Sequence, residues 1–275
     1  MLLEISTGTR LDVVESGDRA NPSLLLVCGT TQHYMLWGAL AAGLAEHYHV
    51  ISYNHRGIGD SERGTGPLSM TSMAHDAAAV LDAVGVPSAH VLGWSLGSAV
   101  AQELAIAHPE KVRGLVLWGT WPALDNFQAC GLTTFSYPWR AGDAQAGSAA
   151  LGLAFSPELL NSPMFGAMME QLLPFFPQTE VEVRTVVEQW DADLAHNTTD
   201  RLPGITAPTL VIGGEQDLLT PPWQCAKVAE LIPGAQLKIF AGPGSSHAVG
   251  LERTEEFLAE VLPFLAAQPA PATTG

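Results

Sequence analysis

The chain has 275 residues, carries 28 acidic against 12 basic side chains for a formal charge of -16, and is 47% hydrophobic. That length suits one α/β core with an inserted subdomain, and the shortage of basic clusters argues against nucleic acid or an anionic membrane as a partner. No uncharged apolar run approaches the roughly 18 to 20 residues that cross a bilayer, and Cys28, Cys130 and Cys225 fit neither a disulfide framework nor a Cys-x-x-Cys metal site.

Leu11 to Glu15 alternates before Ser16-Gly17-Asp18, and Leu24 to Val27 is a continuous apolar run between Asn21-Pro22 and Gly29. Both read as strands, the second buried on its two faces. After Thr30-Thr31-Gln32-His33, helical spacing runs from Leu36 to His47, and Val50 to Tyr53 gives the next strand. Met73, Ala77, Val80, Leu81 and Val84 place a helix over Thr71 to Val84, stopped by Gly85-Val86-Pro87. The apolar run His90 to Leu92 then enters Gly93-Trp94-Ser95-Leu96-Gly97, and Ala99 to Ala107 leaves it as a helix. Gly114 to Trp118 is a further strand. This alternation builds a mostly parallel central sheet with helices on both faces.

Between Trp121 and Arg201 the alternation stops. The stretch holds six of the nine phenylalanines, ten acidic residues and prolines at 122, 138, 157, 163, 174 and 177, so it reads as short helices broken by turns and inserted as a cap. A cap over a sheet leaves an apolar pocket between the two layers. The α/β pattern resumes with a strand at Thr209 to Ile212, a helix from Trp223 to Leu231, a strand at Gln236 to Phe240, and one last amphipathic helix from Val249 to Leu265. The expected organisation is a core of residues 1–120 and 202–267, a helical cap at 121–201, and a frayed tail at 268–275.

The chemistry centres on Ser95. A Gly-x-Ser-x-Gly turn between a strand and a helix lifts its serine above the end of a sheet, and the turn is tight enough that Gly93 and Gly97 must lack side chains. A serine hydroxyl needs a base to take its proton, and the base needs a carboxylate to hold its tautomer. Asp217 follows a strand in a Gly-Glu-Gln-Asp turn and His247 follows the next strand in a Gly/Ser loop. Each of the three then sits at the carboxyl end of a strand, where open α/β sheets place their sites. The histidines at 47, 49, 55, 75, 90, 108 and 196 lie on helices, strand edges or turns and read as structural; Asp125 is a rival acid.

These pieces resemble the α/β-hydrolase superfamily: Leu24 to Gly29, Arg56-Gly57-Ile58-Gly59-Asp60-Ser61, the Ser95 pentapeptide, the Asp217 turn and the His247 loop. The resemblance implies the α/β-hydrolase fold, with Ser95 as nucleophile, His247 as general acid and base, and Asp217 as its orienting carboxylate. It also implies an oxyanion hole from the backbone N–H groups of Thr30 and Leu96. The loop Cys28-Gly29-Thr30-Thr31-Gln32-His33 departs from the His-Gly of many relatives, which makes His33 a candidate for the pocket lining beside Trp94. Relatives that open epoxides or remove halides carry aspartate where this chain has Ser95.

The expected function is therefore a serine hydrolase cleaving an ester, lactone or thioester of an apolar small molecule through an acyl-enzyme, with a place in secondary metabolism. It is expected to need no cofactor and no metal, to bind a small-molecule substrate but neither nucleic acid nor membrane, and to be a monomer or homodimer. Met1-Leu2-Leu3-Glu4 lacks the parts of a secretory signal, so a cytoplasmic location is expected. Two other readings stand beside it: a lyase or cyclase on the same fold acting on an acylated polyketide-type intermediate, for example by acetate elimination, and a non-catalytic ligand-binding protein.

Overall fold

Eight strands form one sheet: β1 (Leu2–Ile5), β2 (Thr9–Ser16), β3 (Ser23–Val27), β4 (His49–Tyr53), β5 (Ala89–Trp94), β6 (Val112–Trp118), β7 (Thr209–Gly214) and β8 (Gln236–Phe240). Their order across the sheet is β1-β2-β4-β3-β5-β6-β7-β8; β1 and β2 are antiparallel additions at one edge, and all pairs from β4 to β8 are parallel. The coordinates come from a computed structural model that describes residues 1–268. The tail expected at 268–275 lies outside the described residues except for Gln268, whose Nε2 donates to the Phe264 carbonyl.

The period of two along the strands sorts side chains onto two apolar cores. Leu25, Val27, Val91, Leu115 and Val211 pack under α2 (Met70–Ala83) and α3 (Leu96–Ala107), whereas Leu24, Leu26, Leu92, Val116 and Ile212 pack on the other face. That second face is covered by α1 (Gly38–Ala45) and by the last helix, whose Phe257, Val261 and Leu265 reach it. The strands β3 to β7 are buried on both sides, which is why they read as continuous apolar runs.

The insertion between β6 and β7 contains α4 (Asn126–Arg140), α5 (Ala144–Ala150), α6 (Pro157–Leu160), α7 (Met164–Leu172) and α8 (Glu180–Ala195). It has its own small core of Leu132, Phe135, Trp139, Val186 and Trp190, joined by Ile58 and Leu219 from the loops below. Two of its helices are long rather than short. α4 runs through Pro138, because an interior proline removes only one hydrogen bond and the packed face holds the helix across the gap. α8 starts on a capping box of Thr179 and Glu182.

After β7 come α9 (Pro222–Leu231), α10 (Val249–Glu252) and α11 (Thr254–Ala266). The single helix expected from Val249 to Leu265 is thus broken at Arg253, whose φ of -128° and ψ of 49° leave the helical region. Its guanidinium there donates to the Ala241 carbonyl and pairs with Glu256. The strand order reverses beside β3, with β4 on one side of it and β5 on the other; in open α/β sheets the ligand crevice opens at such a switch point, beyond the carboxyl ends of the strands.

Candidate active site

β5 ends at Trp94 and α3 begins at Leu96, so Ser95 alone makes the turn. It does so at φ 58°, ψ -124°, a conformation that costs a non-glycine residue roughly 1 to 3 kcal/mol and persists only where its surroundings enforce it. The surroundings are close. A Cβ at Gly93 would stand 2.2 Å from the Gly97 carbonyl oxygen, and one at Gly97 would stand 2.0 Å from the Val27 carbonyl oxygen. The Ser95 N–H donates to the Trp118 carbonyl at 2.9 Å, tying the turn to β6.

Asp217 and His247 are brought together from loops 30 residues apart in sequence. His247 Nδ1 lies 2.8 Å from Asp217 Oδ2, with both side chains almost wholly buried. The other carboxylate oxygen, Oδ1, accepts the N–H groups of Leu219 and Thr220, each at 2.8 Å. Thr220 Oγ1 donates to Asp217 Oδ2 at 2.6 Å and stands 3.1 Å from His247 Nδ1. The carboxylate is thereby fixed in the plane that fixes the imidazole. Trp94 Nε1 donates to the His247 carbonyl at 3.0 Å while its ring stacks on Trp118 at 4.2 Å.

Ser95, His247, Thr30 and Trp94 line one cavity of about 60 Å³. Its far wall comes from the insertion, including Phe155, Leu172, Phe176 and Trp190. Among the described residues Ser95 Oγ makes no hydrogen bond; catalytic hydrogen bonds in free enzymes are often long and tighten only with substrate in place. The N–H groups of Thr30 and Leu96 likewise have no acceptor among the described residues. Leu96 is the first residue of α3, whose opening N–H groups have no partner within the helix.

The sequence placed His33 in the pocket lining. His33 does not line the cavity: Nδ1 accepts the Met35 N–H at 3.1 Å to cap the turn that follows, and the ring packs against Tyr34 and Phe175. Gln32 lines the cavity instead. Asp125 is spoken for elsewhere, capping α4 through the Gln128 N–H and accepting from Trp223 Nε1. Cys28 is a packing residue under Trp37, its thiol pushed up to about 12 by burial. Among the described residues, no cluster of three or more His, Cys, Asp or Glu side chains could hold a metal, and no helix is long and apolar enough to cross a membrane.

Three further residues meet the site that the motif search passes over. Thr220 is one, and its signal is local, since Asp217-Leu218-Leu219-Thr220 can form a side-chain turn on the aspartate. Gln189 and Asp193 of α8 are the others. Gln189 Oε1 accepts the Thr31 N–H at 2.9 Å, and Asp193 Oδ2 accepts the Thr30 hydroxyl at 2.6 Å. Burial pushes the Asp193 carboxyl up to about 8, against the opposing pull of that hydroxyl.

A mostly parallel sheet with a serine on a positive-φ turn, lining one cavity with the histidine of a buried His–Asp pair, is the arrangement of an α/β hydrolase. Residues 22–249 match the alpha/beta hydrolase fold family, and the chain belongs to it. It is similar to a putative carbamate hydrolase, RutD, of Azorhizobium caulinodans, 33% identical over 221 residues that make up 79% of this chain and 82% of the relative. It also resembles one part of the polyketide synthase ThaQ of Burkholderia thailandensis, 29% identical over 96% of this chain but only 12% of that protein. A solved hydrolase from Pseudomonas aeruginosa superposes with a TM-score of 0.84 at 29% identity, covering 97% of this chain and 98% of that one.

Proposed function

We propose that this hydrolase cleaves an ester or thioester with a short acyl group through an acyl-enzyme on Ser95. The observation that carries the reading is the buried His247 Nδ1–Asp217 Oδ2 contact of 2.8 Å beside the cavity that Ser95 opens into. His247 Nε2 takes the Ser95 proton as Oγ attacks the acyl carbon, and the Asp217 carboxylate stabilises the imidazolium. The oxyanion accepts the N–H groups of Thr30 and Leu96, each worth about 3 kcal/mol in such sites. His247 then gives its proton to the leaving alcohol or thiol, and a water, deprotonated by the same imidazole, releases the acid and restores Ser95.

The size of the acyl group follows from the cavity. At about 60 Å³ it is far below the roughly 300 to 1,000 Å³ of drug-sized sites, so the enclosed part of the substrate is small and apolar, and the remainder extends outward past Phe176. The likeness to part of a polyketide synthase supports an acyl substrate of secondary metabolism. The test is a fluorophosphonate probe together with a series of p-nitrophenyl esters from acetate to octanoate. Labelling of Ser95, loss of turnover in Ser95→Ala, and rates that fall beyond butyrate are expected. A folded protein that neither labels nor turns over any ester overturns the reading, and a product that gains no oxygen from labelled water assigns the chemistry to elimination instead.

A further inference from the structure

The loop that follows β3 is held by an unusual set of contacts. The Gly29 N–H donates to Gln32 Oε1 at 2.6 Å, the Gln32 N–H to the Gly29 carbonyl at 3.2 Å, and the Thr31 N–H to Gln189 Oε1 at 2.9 Å. Of the four N–H groups from 29 to 32, that of Thr30, a residue lining the cavity, has no acceptor among the described residues. Thr31 is held at φ 69°, which a β-branched residue adopts only under external constraint. Beside it, Thr30 Oγ1 donates to Asp193 Oδ2 at 2.6 Å.

Gln189 and Asp193 lie one turn apart on α8 and so project from the same face. They are 0% and 2% exposed, yet Gln189 Nε2 and Asp193 Oδ1 have no hydrogen-bond partner among the described residues. Half-satisfied buried polar groups cost stability, and apolar residues of similar size would pack this face at less cost. Stability alone therefore does not account for them. Their satisfied atoms all point at one target, the backbone and side chain of the loop at Thr30 and Thr31.

We infer that Gln189 and Asp193 are positioning residues for the reaction: from the insertion they hold the loop after β3 so that the Thr30 N–H faces the oxyanion. Helix α8 thus completes a hole whose donors both belong to the core. The inference rests on the serine-hydrolase reading above, and its test separates the two. Gln189→Leu keeps the volume and removes the acceptor for Thr31; Asp193→Asn keeps an acceptor for the Thr30 hydroxyl; Asp193→Leu removes it.

Fluorophosphonate labelling rates, kcat and KM for p-nitrophenyl acetate, and Tm would be measured on each. Gln189→Leu and Asp193→Leu are expected to lose up to about 100-fold in kcat and in labelling rate, the worth of one oxyanion donor. KM should stay within about threefold and Tm close to wild type, since relief of the unpaired Gln189 Nε2 or Asp193 Oδ1 offsets the loss of an acceptor for the Thr31 N–H or Thr30 hydroxyl, while Asp193→Asn retains most of the activity. Wild-type rates in folded Gln189→Leu and Asp193→Leu overturn the inference and leave the nucleophile intact. A wild-type protein that neither labels nor turns over overturns both readings. If neither leucine variant folds, Thr30→Val, which leaves α8 unchanged, decides: a fall in kcat at constant KM supports the clamp, and unchanged kcat refutes it.

Discussion

Asp217→Asn is the most discriminating single change because the structure dictates how the new amide must sit. Asp217 Oδ1 accepts two backbone N–H groups, from Leu219 and Thr220, so the amide oxygen has to occupy that position; an NH2 there would face two donors. The amide nitrogen is then forced onto the Oδ2 site, 2.8 Å from His247 Nδ1. As a donor it requires Nδ1 to accept, which leaves the imidazole proton on Nε2, and an Nε2–H cannot take a proton from Ser95. Thr220 Oγ1 adapts by accepting from the amide. The expected result is a fold left almost intact and a kcat reduced by about 10⁴, equivalent to about 5 kcal/mol of transition-state stabilisation. Asp217→Ala is the contrast: it leaves the Leu219 and Thr220 N–H groups buried without acceptors, at about 1 to 3 kcal/mol each, and about 2 to 4 °C of Tm per kcal/mol for a chain of this order of size. Ester turnover and thermal melts on both variants test the argument. Asp217→Asn within tenfold of wild-type kcat would refute it.

Gly97→Ala should not yield folded protein, because its Cβ would meet the Val27 and Cys28 carbonyl oxygens at 2.0 and 2.6 Å, backbone on both sides; soluble expression with a wild-type melt contradicts this. Ser95→Gly should abolish turnover yet raise Tm, since glycine adopts φ 58° without the cost borne by serine, and a Tm below wild type counts against stored strain at the turn. Burial pushes the Asp193 carboxyl up to about 8 in the folded protein, from about 3.9 in the unfolded chain. The folded state therefore holds more protons between those values, and the stability that Asp193 contributes is fully present below about pH 4 and lost as pH rises through about 8. Asp193→Asn, which does not titrate, should accordingly gain Tm relative to wild type as pH rises from about 4 to 8; a constant difference across that range would mean Asp193 is ionised throughout.

The parallel strands from Leu24 to Gly214 were legible because burial on both faces leaves few polar residues inside them. β1 was not, since Leu2–Ile5 is a four-residue, half-exposed edge strand, too short to show a period of its own, and it is specified by pairing with Leu11 and Asp12. The turn at Ser95 was legible for a steric reason: a Cβ at Gly93 or Gly97 would meet backbone oxygens at 2.2 and 2.0 Å, a constraint that leaves a mark on the sequence. His33 suits two tasks from sequence alone, lining a pocket or capping the next turn, and in the structure its Nδ1 accepts the Met35 N–H that opens that turn. The length of α4 was hidden by Pro138, which a sequence reading takes as a stop but which packing overrides.

Gln189 and Asp193 were illegible for a deeper reason. Thr185, Gln189 and Asp193 recur at every fourth position along α8 and look like the solvated face of an amphipathic helix. That face is buried only because it lies on loops some 130 to 160 residues earlier in the chain: a Cβ at Gly57 would meet Thr185 Oγ1 at 2.2 Å, Thr31 donates to Gln189, and Thr30 donates to Asp193. The insertion therefore bears on the site through two separate sets of side chains. The polar face of α8 reaches backbone that would hold the oxyanion, and so affects rate, whereas Leu172 and Phe176 bound the cavity and so affect which acyl groups fit. Enlarging the cavity at Phe176 should change chain-length preference with little effect on the acetate rate, because that side chain bounds the cavity while the hydrogen bonds from α8 to the loop come from Gln189 and Asp193.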